Sequence, residues 1–128
     1  MTREILNSFR SDFKLGLISN FYGNLQVVLK EFDLDNVFDV VVDSAIFGAS
    51  KPDERIFKEA LTRADETPDN ALMVGDSYGQ DILPAKDLGF TTVWLDGRSW
   101  SRPKETSKAD FIIHNIKELP ILVSKHFL

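Results

Sequence analysis

Two carboxylates five positions apart, Asp76 and Asp81 in the stretch ALMVGDSYGQDI, are the residues of this chain best placed to do chemistry. The apolar run from Ala71 to Val74 reads as a buried parallel strand that stops at Gly75. In an open α/β sheet, ligands bind beyond the carboxyl ends of the strands. Asp76 is expected at that edge, and Asp81 near the start of the next helix, facing the same crevice. Carboxylates so held suit a hard cation such as Mg²⁺, which takes oxygen ligands and keeps waters and a substrate phosphate. The same residues also fit a plain strand-to-helix turn, with Asp76 or Ser77 as the cap. Ser19 and Asn20 end an earlier strand, where a hydroxyl and an amide can donate to a phosphate oxygen or simply form a turn. Lys51, directly before Pro52, lies beside an expected helix N-terminus, the wrong end of the helix dipole for a cation. That mismatch points to an anion or carboxylate facing it, against the plainer reading of a solvated lysine. Ser19, Asn20, Lys51, Asp76 and Asp81 together read as a site for Mg²⁺ and a phosphoryl group.

The elements that must position these groups follow from periodicity. Ile5, Leu6 and Phe9 predict a short helix over Thr2 to Arg10, with Thr2 as N-cap. Lys14 to Ser19 reads as a strand, Asn20 to Gly23 as a turn, and Asn24 as the cap of a helix with Leu25, Val28, Leu29 and Phe32 on its inner face. Phe38 to Asp43 is a β-branched strand, and Ser44 to Ser50 a loop. Pro52 is expected to open the next helix, whose core side carries Ile56, Phe57, Ala60 and Leu61. Thr67 to Asn70 is a turn. A helix runs from Asp81 to Leu88, with Pro84 in its first turn and Gly89 as a left-handed cap. Strands at Thr91 to Leu95 and Phe111 to Ile113 flank a polar loop, Asp96 to Lys108, that carries Trp100. A closing helix spans Ile116 to Phe127. The alternation predicts an α/β architecture, a mostly parallel sheet with helices on both faces, in a single domain over residues 1–128.

Composition narrows the function. A net charge of −5 argues against a sequence-independent nucleic-acid binder, which needs a basic surface. The absence of cysteine excludes disulfides, thiolate metal sites and a cysteine nucleophile. The apolar runs fall short of a membrane span, and the charged N-terminus does not read as a secretory signal. The expectation is a cytoplasmic protein with a small phosphorylated substrate and neither nucleic acid nor membrane as partner. His114 and His126 read as structural or exposed, Trp94 as core or interface, and Trp100 as a surface residue able to touch a substrate or partner.

The segments LISN, GASKPDERIF and GDSYGQDI, in this order and spacing, resemble the haloacid-dehalogenase-like (HAD) hydrolases from about Phe13 to Val123, and the ending ADFIIHNIKELPILV resembles that family's last strand and helix. The resemblance implies a Rossmann-like three-layer sandwich. It also implies that Ser19, with Asn20 beside it, binds phosphate. Lys51 would be the catalytic lysine that steadies nucleophile and substrate charge, and would contact the phosphate. Asp76 would ligate Mg²⁺, and Asp81 would be the second acid, ligating or supporting the metal shell with a part in catalysis. Most such enzymes are Mg²⁺-dependent phosphatases; others are dehalogenases or phosphomutases. A receiver domain of the response-regulator kind would want an acidic cluster where this chain has Ser19-Asn20, and leaves Lys51-Pro52 unexplained.

One departure qualifies the resemblance. HAD hydrolases begin with an apolar strand ending in Asp-x-Asp, whose first Asp is the nucleophile. Only a helical segment precedes Ser19 here, and Asp33-Leu34-Asp35 follows it, at a helix-to-strand turn. The helical cap that often selects substrate is also not represented. The fold is therefore expected to be incomplete at its N-terminal central strand, leaving strand edges to pair with each other or with another chain, as a homodimer or with a strand-donating partner. The chain alone is expected to be an inactive phosphoric ester hydrolase, because covalent catalysis needs the nucleophile within reach. The alternatives are a non-catalytic phosphate- and Mg²⁺-binding or regulatory module, or one half of a complex.

Overall fold

The computed structural model describes residues 2–20, 23–97 and 107–128. They fall into two units, Met1–Glu66 and Thr67–Leu128, each built on its own parallel sheet.

In the first unit, helix α1 (Thr2–Ser8) leads to strand β1 (Gly16–Ser19), helix α2 (Leu25–Glu31) and strand β2 (Val40–Asp43). β1 pairs parallel with β2, with Ser19 opposite Asp43. Helix α3 (Ser44–Phe47) and helix α4 (Glu54–Ala64) follow. α4 packs on both strands through Ile56 and Phe57, which are fully buried. Phe9, Leu25, Leu29, Val37 and Val42 complete this core.

Several expectations change here. Ser44 to Ser50 is not wholly loop, because the Asp43 carboxylate accepts from Ala45 N and caps α3, while Gly48 takes the left-handed C-cap at φ 93°. Proline does not open α4; Asp53 is its N-cap and accepts from Arg55 N. Asn24 stands at the N-cap of α2, but its side chain makes no capping bond. Asp43 Oδ2 instead receives Gly23 N at 3.1 Å and Leu25 N at 3.3 Å, so the amides at this helix start are held from a different strand. Phe32 falls just past α2 and is exposed rather than on an inner face.

In the second unit, strand β3 (Leu72–Gly75) is followed by a π-turn, Tyr78–Ile82, helix α5 (Leu83–Leu88) and strand β4 (Thr91–Leu95). Strand β5 (Phe111–Ile113) and helix α6 (Leu119–His126) close it. The sheet order is β3-β4-β5, all parallel. Pro84 sits in the first turn of α5, and Gly89 ends it at φ 104°, as expected. Ile82, Ala85, Phe90, Val93, Ile113, Leu119 and Val123 form the core. Asp110 ties the sheet to α5: its carboxylate accepts from Thr92 N and Oγ1 and from Lys86 Nζ.

Among the described residues, β1 has a ladder with β2 alone and β3 with β4 alone. Consistent with that, Leu17 and Ile18 are half-buried, as are Leu72, Met73 and Val74 of β3, where a buried strand is expected. No helix among the described residues is long and apolar enough to cross a membrane. Trp100 and most of its loop lie outside the described residues.

Candidate functional site

Ser19, Asn20 and Lys51 belong to the first unit. Ser19 is the last residue of β1 and is half-buried, its position set by pairing with Asp43. Asn20 and Lys51 are brought together directly. The Asn20 amide donates from Nδ2 to the Lys51 carbonyl at 3.1 Å, and its Oδ1 accepts from Lys51 N at 2.8 Å. Asn20 therefore grips the main chain of the lysine, a use the sequence did not suggest. Lys51 itself is half-buried and joined to Pro52 by a cis peptide. Two residues on, Asp53 has its pKa held down to about 2 by the side-chain hydrogen bond from Arg55.

Asp43 was not among the site residues read from the sequence. It is 6% exposed, and its carboxylate receives three main-chain N–H groups, from Gly23, Leu25 and Ala45. A carboxylate ending a β-branched run is the signal that marks it. It serves the loop after Ser19, and both of its oxygens are engaged with amides. Asp33 lies at φ 59° in the turn after α2, and Arg3 Nε donates to its carbonyl, so the Asp-x-Asp pair is part of a turn as expected.

Asp76 and Asp81 belong to the second unit. Asp76 follows the last residue of β3 and its side chain is exposed. Asp81 is 3% exposed, inside the π-turn. Its Oδ2 accepts from Ser77 N at 3.1 Å. On the other side of Asp76, Asp81 leans on Gly75 so closely that a Cβ added there would lie 2.4 Å from Asp81 Cβ. Asp81 thus packs against the main chain on both sides of Asp76. Ser77 Oγ accepts from Gln80 N at 3.3 Å, so the capping expected of Ser77 coexists with the placement of the two acids. Among the described residues no three His, Asp or Glu side chains are grouped to hold a metal. The two acids offer oxygen donors only, the donor chemistry of Mg²⁺, which is held by one or two carboxylates and otherwise keeps waters or substrate phosphate.

Trp94 and Tyr78 border this turn. Trp94, opposite Gly75 in the β3–β4 ladder, donates its indole N–H to the Asp76 carbonyl at 3.2 Å. The Tyr78 ring lies 4.9 Å from the Trp94 ring, and Tyr78 Oη accepts from Lys108 N. His114 and His126 are both exposed; His114 Nδ1 donates to the Asp96 carbonyl, and His126 lies against Phe111 and Phe127.

Known proteins resemble this chain over most of its length. It is 35% identical over 125 residues to the pyrimidine 5'-nucleotidase YjjG of Escherichia coli, covering 95% of this chain and 55% of that protein. It is 36% identical over 89 residues to a glyceraldehyde 3-phosphate phosphatase of Pyrococcus furiosus, covering 68% and 37%. Among solved structures, a HAD phosphatase from Thermococcus onnurineus matches with a TM-score of 0.85 and 32% identity, over 94% of this chain and 55% of that one. A 2-haloacid dehalogenase from Pseudomonas syringae matches with a TM-score of 0.78 and 28% identity, over 95% and 51%. The chain thus spans about half the length of these full-length relatives or less. A family model described as haloacid dehalogenase-like hydrolase matches residues 2–95, and the chain belongs to that family.

Proposed function

We propose that this chain carries the phosphate-holding and cation-holding halves of a HAD-type phosphoric ester hydrolase, and that the nucleophilic carboxylate comes from a segment outside these 128 residues. The observation that carries the reading is the placement of Asp81, a buried carboxylate packed against the main chain on both sides of an exposed Asp76. Two carboxylates on one short turn supply the oxygen donors that Mg²⁺ takes alongside waters and substrate phosphate. Phosphatases among the similar proteins support a phosphomonoester as substrate.

In this reading Ser19 donates its hydroxyl to a phosphoryl oxygen, and Lys51 balances the charge on nucleophile and substrate. Asn20 fixes Lys51 through the main chain. Asp76 would hold Mg²⁺, with Asp81 beside it as ligand or support. Bound Mg²⁺ would offset the charge that builds on the phosphoryl oxygens. Covalent catalysis needs the nucleophile within reach, so the chain without it is expected to keep binding and lose turnover. A partner chain or a further segment bearing the Asp-x-Asp strand would restore it. The runner-up is a binding or regulatory module that holds Mg²⁺ and phosphate without turnover even when such a strand is supplied.

The test is binding and hydrolysis side by side. Calorimetry should find Mg²⁺ binding that Asp76→Asn abolishes. Hydrolysis of an aryl phosphate by the chain should not exceed that of the same mutant. Mg²⁺-dependent turnover that vanishes in Asp76→Asn would overturn the separate nucleophile. No Mg²⁺ binding in the wild type would overturn the metal assignment. Binding without turnover after addition of a strand-bearing segment would favour the module.

A further inference from the structure

The peptide unit between Asp76 and Ser77 is gripped at both ends. Its carbonyl accepts from the Trp94 indole N–H at 3.2 Å, and its N–H donates to Asp81 Oδ2 at 3.1 Å. One grip comes from β4 and the other from the π-turn, so the plane of this peptide is set by two side chains far apart in sequence. The indole is 5% exposed and is steadied by the Tyr78 ring two residues beyond Asp76. Rotating the peptide by half a turn would break both hydrogen bonds at once. It would also aim a carbonyl, rather than an N–H, at the Asp81 carboxylate, which is a repulsive contact in a buried setting.

We propose that Trp94 is a positioning residue for the acidic turn: its indole N–H locks the Asp76–Ser77 peptide in the single orientation that presents Asp76 outward and holds Asp81 inward. The proposal rests on the metal reading above only for its functional consequence; the lock itself needs no metal. Because a carbonyl and its adjoining N–H belong to one rigid plane, loss of the Trp94 bond is felt at Asp81 although the indole bonds the other end of that peptide. Tyr78 supports the indole face, and its hydroxyl is directed to Lys108 instead. The two roles of that tyrosine are therefore separable.

The test uses amide hydrogen exchange, which reads the lock directly, and Mg²⁺ titration, which reads its consequence. Trp94→Phe keeps a buried aromatic ring and removes the donor. A second variant carries 3-benzothienylalanine at position 94, an isostere that lacks only the N–H, and keeps the test sound if the smaller ring disturbs folding. In both, the Ser77 amide should exchange at least about tenfold faster while amides of β4 and β5 keep their protection, and Mg²⁺ should bind several-fold more weakly. Tyr78→Phe, which retains the ring, should leave both readings within twofold of wild type. Ser77 exchange unchanged in the isosteric variant would overturn the lock. Faster Ser77 exchange with unaltered Mg²⁺ affinity would overturn the positioning role. A wild type with a protected Ser77 amide and no Mg²⁺ binding would uphold the lock and sink the metal reading by itself.

Discussion

Replacing Gly75 by alanine tests how closely Asp81 is fitted to the end of β3. The added Cβ would meet Asp81 Cβ at 2.4 Å, Oδ2 at 2.6 Å and Cγ at 2.7 Å. Carbon atoms in contact normally stand about 3.5–4.0 Å apart, so the conflict exceeds an ångström. Its nearest partner is a Cβ, which moves only with the backbone of the π-turn. Overpacking of a core costs about 1–3 kcal/mol. Displacing Asp81 also breaks its bond from Ser77 N, and a hydrogen bond to a charged group is worth about 1.5–3 kcal/mol. A combined loss of about 3 kcal/mol is expected, a large part of the stability of an ordinary domain. At a urea slope of about 2 kcal/mol/M the unfolding midpoint should fall by about 1.5 M. The clash also predicts a pattern of rescue. Asp81→Ala keeps the offending Cβ and should restore nothing in the Gly75→Ala background. Asp81→Gly removes it and should recover part of the loss, less about 1 kcal/mol for glycine in a helical turn. A Gly75→Ala midpoint within about 0.3 M of wild type would refute the fit, given the same urea slope.

Asn20→Ala should cost about 1 kcal/mol, the usual net worth of a hydrogen-bonded contact, and weaken inorganic phosphate binding several-fold by calorimetry, whereas Lys51→Met should abolish that binding. Asp43→Asn replaces one acceptor oxygen by a donor where three amide N–H groups converge, and should destabilise the chain by about 2 kcal/mol in urea unfolding. Asp110 supplies a pH dependence. Burial would raise its pKa, but hydrogen bonds from Lys86 and Thr92 outweigh that and leave it below the ordinary carboxylate value. A depressed folded-state pKa adds stability above the unfolded value of about 3.9, and that increment disappears as pH falls through the folded pKa. Unfolding midpoints between about pH 2 and 6 should therefore drop less steeply towards acid in Asp110→Asn than in wild type.

What the sequence told and what it withheld divide along the range of the interactions involved. Thr91 to Leu95 and Phe111 to Ile113 are strands exactly where alternation and β-branching put them, and Gly89 ends α5 in the left-handed region expected of it. These are local signals. The start of α2 misled because Asn24 has the right residue type at the right place, yet the amides there are satisfied by Asp43, which only the fold brings near. α3 was hidden because four residues carry no helical period, and its cap is the last residue of the strand before it. For the candidate residues Ser19, Lys51, Asp76 and Asp81, the sequence shows the residue type but not what holds each in place. Gly75 looks like a strand terminator in the sequence and is required by contact with a side chain six positions on. Trp94 looks like core, and its N–H reaches a carbonyl eighteen residues earlier.

The clasp of Asn20 on Lys51 separates an address from its cargo. Its two hydrogen bonds copy the reciprocal pairing of neighbouring residues in an antiparallel ladder, with one partner's peptide group replaced by a side-chain amide. Nothing in that pairing depends on which side chain position 51 carries. The loop is thus a socket in which charge and reach can be exchanged while the main chain stays in register. A series of lysine, ornithine, methionine and arginine at this one position would vary charge and reach while the main-chain clasp is kept. On the proposed reading of Lys51 as an anion contact, substitutions there would retune anion affinity while the backbone clasp stays in place, a freedom that the tightly wedged turn at Gly75 does not share.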